Sequence, residues 1–226
     1  MEYAPGRSID LYGAQSDPTV LLWHGTQTDA RSTVRVLATL LADRGLGVAV
    51  PDWDSHSDDR GRSDLLRSVE FARSWSDAPD GMVLVGWSLG GVAAAGLAVH
   101  AADHDIVLAH TVCLAGAFMV PDPISGTDVT GSLGDARARS PFTLLHGRAD
   151  DVVPVAASRS FSDSLTAAGW DVRFLELDAD HGNIAGARYD ASADRYEPAD
   201  DPDTERVAAV VAGHIATAAG VTPSAG

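Results

Sequence analysis

The 226-residue chain contains no lysine: all sixteen of its basic residues are arginine. That absence excludes chemistry built on a lysine amine, such as Schiff-base catalysis, attachment of pyridoxal phosphate, and the phosphate-gripping lysine of a Walker loop. Cysteine is nearly absent as well. Cys113 stands alone, so no intrachain disulfide can form, and the expected location is a reducing cytoplasm. Set in an apolar stretch, Cys113 is expected to be an inert buried thiol. No apolar run approaches the roughly 20 residues of a membrane-spanning helix. "MEYAPGRSID" has no basic segment leading into an apolar one, so no secretory signal is expected. Positive charge is scarce, with thirty-two acidic residues against sixteen basic ones and a net charge of -16. Such a surface repels nucleic-acid phosphates and anionic lipid, and there is no basic patch to offset it; neither nucleic acid nor membrane is expected as a partner.

What is present is apolar and ordered by period. Hydrophobic residues make up 45% of the chain, enough for one substantial core. A single domain over residues 1–220 is expected, with a frayed tail at 221–226. Strand-like runs alternate with helical ones. "TVLLWHG" (19–25) precedes a helical stretch at 29–45, in which Val34, Leu37, Ala38 and Leu41 share a face and Gly45 ends the helix. "LGVAVPDW", a helix from Ser63 with Leu65, Val69 and Ala72 inward, "GMVLVGW", and a helix after Ser88 follow in turn. Then come "DIVLAHTVCLAG" (105–116), a loop to 140, "PFTLLHG", a helix at 155–169, "WDVRFLELD" and a last helix at 203–219. The pattern predicts an α/β fold, a mostly parallel sheet with helices on both faces. Ligand sites in such sheets lie beyond the carboxyl ends of the strands.

The residues that follow the strands are few: His24, Gly25 and Thr26; Ser88; Asp150; His181. A hydroxyl, a carboxylate and an imidazole, in that chain order on one sheet edge, form the constellation for nucleophilic acyl transfer. Gly86, Ser88 and Gly90 spell G-x-S-x-G at a strand-to-helix junction, where small residues permit a sharp turn that lifts the serine oxygen out of the sheet. A serine needs a base at neutral pH, and His181 supplies one.

"HGTQ" (24–27), "GWSLGG" (86–91), "HGRADDVVP" (146–154) and "DADHGN" (178–183), in this order at successive strand ends, resemble the α/β-hydrolase family. The resemblance covers the chain from about Thr19 to Ala219 and extends to the small dienelactone-hydrolase-like and carboxylesterase branches. Dienelactone hydrolases proper carry a cysteine where this chain has Ser88. The resemblance implies Ser88 as nucleophile, His181 as general base and Asp150, favoured over Asp151 by the H-G-x-x-D pattern, as the orienting acid. It implies an oxyanion hole from the backbone N–H of Leu89 and of Thr26, with Gln27 as the alternative second donor. The expected activity is hydrolysis of a small ester through an acyl-serine, with no metal or organic cofactor. Thioester and lactone substrates, or a non-catalytic binding protein on the same fold, are the alternatives.

Other residues have plainer readings. His24 and His146 each close a strand before a glycine and are expected to be structural. His214, on a helix face with Val207, Val210 and Val211, is expected in the core. Trp53 and Trp87 flank strand ends and either line an acyl pocket or belong to the core. Asp52, Asp54, His56, Asp58 and Asp59 are expected to form a solvated acidic loop rather than a metal site. The loop at 116–140 is too short for a cap domain, so an open site is expected. Residues 186–203 follow His181 directly and are expected to form a small flap beside the site.

Overall fold

The computed structural model describes residues 1–15, 19–76 and 81–221. At the amino terminus β1 (Glu2–Ala4) and β2 (Arg7–Tyr12) pair antiparallel. From there strand and helix alternate: β3 (Thr19–Trp23), α1 (Arg35–Ala42), β4 (Gly47–Pro51), α2 (Arg62–Trp75), β5 (Val83–Trp87), α3 (Leu89–Val99), β6 (His110–Leu114), β7 (Phe142–Gly147), α4 (Val155–Ala167) and β8 (Val172–Leu177). A second antiparallel pair, β9 (Ala187–Asp190) and β10 (Arg195–Pro198), precedes the last helix, α5 (Pro202–Ala218).

Eight strands form one mixed sheet in the order β1-β2-β4-β3-β5-β6-β7-β8. β2 meets β4 antiparallel, and every pairing from β4 to β8 is parallel. The central strands β3, β4, β5 and β7 are buried along their whole length, as their unbroken apolar runs require. Alternate residues serve opposite faces. Leu21 and Trp23 pack with Leu65, Val92 and Phe161 from α2, α3 and α4, while Val20 and Leu22 pack with Leu37, Leu41, Val211 and Ile215 from α1 and α5. The chain runs from β3 outward to β4, then returns to place β5 on the other side of β3. That reversal opens a crevice at the carboxyl ends of β3 and β5, the position where sheets of this kind take ligands.

Several expected boundaries move. The first helical stretch begins as a 3-10 turn, Arg31–Val34, and Gly45 closes it with a φ of 85°. The strand expected from residue 105 starts only at His110, because Asp105 adopts a left-handed φ of 52° and the N–H of Ile106 bonds back to Ala101. On α5 the buried face is Ala208, Val211, Ala212 and Ile215. Val210 is exposed and His214 only half-buried, so His214 is not a core residue, a correction of about one position in helical phase. Between β6 and β7 the chain makes turns and a single 3-10 segment, Val129–Ser132, with no inserted α-helix. Among the described residues no helix is long and apolar enough to cross a membrane. The expected frayed tail lies, apart from Val221, outside the described residues.

The aromatic centre of one layer is Phe161, buried on α4 and stacked on Phe118 at 4.0 Å. Phe161→Ala is expected to lower the unfolding free energy by about 3–5 kcal/mol, measured by urea denaturation.

Candidate active site

Ser88 sits between β5 and α3 with φ 56° and ψ -117°, a conformation costly for a residue with a side chain. The small neighbours make it possible. A Cβ on Gly86 would lie 2.0 Å from the Gly90 carbonyl oxygen, and one on Gly90 would lie 2.3 Å from that of His24. The serine backbone is held by its N–H bond to Leu114 O (2.9 Å), while Ser88 O accepts from Gly91 and Ala117. The turn after β3 lies directly against it, since a Cβ on Gly25 would come 3.3 Å from that of Ser88.

His181 follows β8 and Asp150 follows β7, and the fold brings both to Ser88. His181 Nε2 lies 3.1 Å from Ser88 Oγ, and His181 Nδ1 lies 2.8 Å from Asp150 Oδ2. A carboxylate only accepts, so Nδ1 carries the proton and Nε2 is left to accept from the serine hydroxyl. Asp150, not the exposed Asp151, makes this contact. Its other oxygen accepts the N–H groups of Val152 (2.9 Å) and Val153 (2.8 Å). Burial by itself would raise the Asp150 pKa. Hydrogen bonds from His146, His181 and the Val153 N–H outweigh it and hold the carboxyl well below the usual carboxylate range.

The backbone N–H groups of Leu89 and Thr26 have no acceptor among the described residues, and both belong to segments that flank Ser88. Thr26 is braced from behind, its carbonyl accepting from Ser55 Oγ at 2.7 Å. Gln27, whose backbone N–H is the alternative second donor, engages its side chain away from Ser88. Its side-chain amide bonds both the N–H and the C=O of Tyr196 on β10, as a neighbouring strand would. Tyr196 packs in turn against the rings of Trp87 (5.2 Å) and His181 (5.7 Å). Its phenol is pushed up to about 12, first by burial and then by the carboxylates of Asp150, Asp151 and Asp180, so it stays neutral. The segment 186–203 is therefore a hairpin beside His181, clamped by Gln27.

Of the two alternatives for the tryptophans, both residues take the core. Trp53 is fully buried, stacks on His24 at 5.5 Å and donates its Nε1–H to His24 O, so it is core. Trp87 is buried beneath His181 and donates to its carbonyl oxygen at 2.8 Å, so it supports the imidazole rather than lining a pocket. One hollow adjoins the site and a second lies at the amino-terminal end of α4. One of about 230 Å³ beside His181 is lined by Arg188, Tyr189 and Tyr196 among others. A more apolar one of about 380 Å³ lies between Phe118, Met119, Pro154 and Phe161.

The acidic loop is not simply solvated. Asp52 is buried and paired with Arg31, Asp54 accepts from Thr28 and His56 N–H, and Asp59 accepts from Gly61 N–H and Ser63. His24 is structural, its Nε2 accepting from the N–H of Ala30 and of Trp53 and its Nδ1–H donating to Gly25 O. His146 is fully buried and contacts Asp150, which its place before a glycine did not foretell. Neither this contact nor the Gln27 clamp leaves a local signal in the sequence. The hairpin did leave one, in the aromatic and charged alternation of "ARYD" and "RYEP".

No protein-family model matches the chain, and no curated protein matches it. Solved structures do. The apo form of Thermogutta terrifontis esterase 2 superposes with a TM-score of 0.71 at 15% identity, over 96% of this chain and 92% of that one. A propionate-bound esterase from the same organism gives 0.71 at 17% identity, over 97% and 92%. The form of esterase 2 phosphorylated by paraoxon gives 0.71 at 16%, over 96% and 90%. The chain has the α/β-hydrolase fold. Ser88 is itself buried at its strand end, and between β6 and β7 no α-helix is inserted.

Burial lowers His24 from 6.5 to about 4. Because the folded value lies below the unfolded one, its contribution to stability is complete above pH 6.5 and is lost as the pH falls from 6.5 to about 4. The expected loss is about 3 kcal/mol across that window. Urea denaturation at pH 7, 5.5 and 4.5 checks it: the wild-type slope should be steep, and His24→Gln should flatten it.

Proposed function

We propose that the protein is a serine hydrolase that cleaves small carboxylic esters through an acyl-serine intermediate. The observation that carries this reading is His181, placed between Ser88 Oγ at 3.1 Å and the Asp150 carboxylate at 2.8 Å, with the serine on its strained turn. Ser88 Oγ attacks the ester carbonyl carbon while its proton passes to His181 Nε2. Asp150, ionised across the neutral pH range, stabilises the imidazolium and holds its tautomer. The N–H groups of Leu89 and Thr26 receive the oxyanion, Leu89 with the added field of the α3 amino terminus. The C–O bond to the alcohol then breaks, the alcohol leaves with the proton from Nε2, and water repeats the sequence on the acyl-serine.

Three further features favour a small substrate. The hollow beside His181 is small, about 230 Å³, below the roughly 300 Å³ at which drug-sized small-molecule sites begin. The hairpin wall of Tyr189 and Tyr196 is clamped rather than free. The Thermogutta esterase that shares the fold has been captured with propionate and with butyrate, and phosphorylated by paraoxon, so reaction with organophosphates and short acyl groups is the expectation for this chain as well.

The test is labelling with a fluorophosphonate, read by intact mass, alongside hydrolysis of p-nitrophenyl acetate to octanoate, a thioester and a lactone. One adduct is expected on wild type and none on Ser88→Ala, with turnover falling as the acyl chain lengthens. Ser88→Ala should lower kcat by roughly 10⁶-fold and Asp150→Asn by roughly 10⁴-fold. A folded Ser88→Ala that keeps most of its activity overturns the reading.

A further inference from the structure

We propose that His146 is a positioning residue for this site: it holds the Asp150 carboxylate toward His181 and limits how strongly that carboxylate draws on the His181 proton. The proposal rests on the hydrolase reading above. His146 lies one residue before the end of β7, and the turn through Gly147, Arg148 and Ala149 folds Asp150 back onto it. The turn is tight because β7 passes close to the end of β8; a Cβ on Gly147 would lie 2.2 Å from Ala179 O. His146 Nε2 therefore stands 3.2 Å from Asp150 Oδ2 and 2.9 Å from Val153 O.

Both of those atoms are acceptors only, so Nε2 carries the proton; its hydrogen bond goes to Val153 O, and Asp150 Oδ2 lies 3.2 Å to its side, against the positive end of the N–H. Nδ1 is then the acceptor for the Ser158 hydroxyl at 2.7 Å, in the first turn of α4. One oxygen of Asp150 thus accepts from His181 and lies against the polarised Nε2–H of His146, while two amide N–H groups take the other. The carboxylate has no solvent exposure, so no water relieves it of either histidine. A strand-ending turn does not need an imidazole; a carboxylate that must keep one oxygen aimed at His181 gains from it a fixed positive pole at 3.2 Å, itself held in place by Val153 O and Ser158. Removing that pole leaves Oδ2 wholly to His181, which strengthens the pair with the imidazolium and moves the protonation of His181 to higher pH. His146 is fully buried and reaches no surface of the site, so it acts only through Asp150.

The other titratable or charged groups facing the pair are Asp151 on the same turn, Asp180 beside His181, Arg188 on β9 and the neutral Tyr196 on β10, while Arg148 turns outward to Glu176. All remain in the variants that test the idea. His146→Met and His146→Gln are compared with wild type in the full chain, with kcat and KM for p-nitrophenyl propionate followed from pH 5 to 9. His146→Met is expected to lower kcat about 10-fold with KM unchanged. Its acid limb of kcat/KM should move up by about half to one pH unit. His146→Gln, whose amide can replace the Nε2–H, should regain most of both. If His146→Met does not fold by urea denaturation, His146→Asn takes its place with the same expectation, because its shorter amide reaches Ser158 but not Asp150.

An acid limb that superposes on wild type in the folded variant overturns the proposal. So does a Gln variant as impaired as Met at equal stability. Those results leave the hydrolase reading intact, whereas a wild type that neither hydrolyses esters nor accepts the fluorophosphonate overturns both.

Discussion

Parallel pairing is the constraint on which the rest of this structure depends. Strands that run the same way must all end on the same edge, and here β3, β5, β7 and β8 deliver Thr26, Ser88, Asp150 and His181 to it from sequence separations of up to 155 positions. The chain reverses its direction of travel across the sheet between β3 and β5, so α1 and α3 diverge onto opposite faces. The crevice between them is where Ser88 meets the turn after β3. Nothing local to Ser88 could bring a histidine 93 residues away into hydrogen-bond range; the sheet register does so.

The second requirement is a buried negative charge that stays charged. Removing the Asp150 carboxylate from water is costly, and the cost is offset by hydrogen bonds from His181, Val152 and Val153 and by the His146 Nε2–H that lies 3.2 Å away. All but His181 belong to its own turn or to the strand end immediately before it, so the carboxylate is oriented before His181 contributes. The imidazole is constrained with comparable care, between Trp87 at 5.3 Å, Tyr196 at 5.7 Å and the bond from Trp87 Nε1 to its backbone. Gln27 links these supports to the turn after β3, because the residue after Thr26 holds the backbone of Tyr196. The hairpin, the imidazole and the N–H groups facing Ser88 therefore form one mechanical unit.

Charge plays a structural part away from the site. With a net charge of -16 and no lysine, the scarce arginines work in acidic clusters. Arg7 meets Asp29, Asp54 and Asp64, and Arg31 meets Asp10 and Asp52. The planar guanidinium, with several donors in a fixed fork, suits this task better than an ammonium would. The two clusters tie the antiparallel edge at β1 and β2 to the loop after β4, and that loop supports Thr26 through Ser55.

The sequence by itself determined the alternation of elements, the layered architecture and the three side chains at the strand ends, because apolar period and glycine placement are local properties of the chain. The "GWSLGG" turn was legible for that reason, as were the inward faces of α1 and α2. What only the tertiary structure decided was contact between distant segments. His146 and Asp150 are four residues apart, yet their bond depends on a turn pressed against β8. Gln27 and Tyr196 are 169 residues apart. Trp53 and Trp87 could not be divided between pocket and core until His24 and His181 were in place beside them. His214 and Val210 left the core because the neighbouring α1, β6 and the turn Asn183–Ala185 set which stripe of α5 is covered. Periodicity can state that a helix has a buried face, but the partner that packs on it fixes where that face lies.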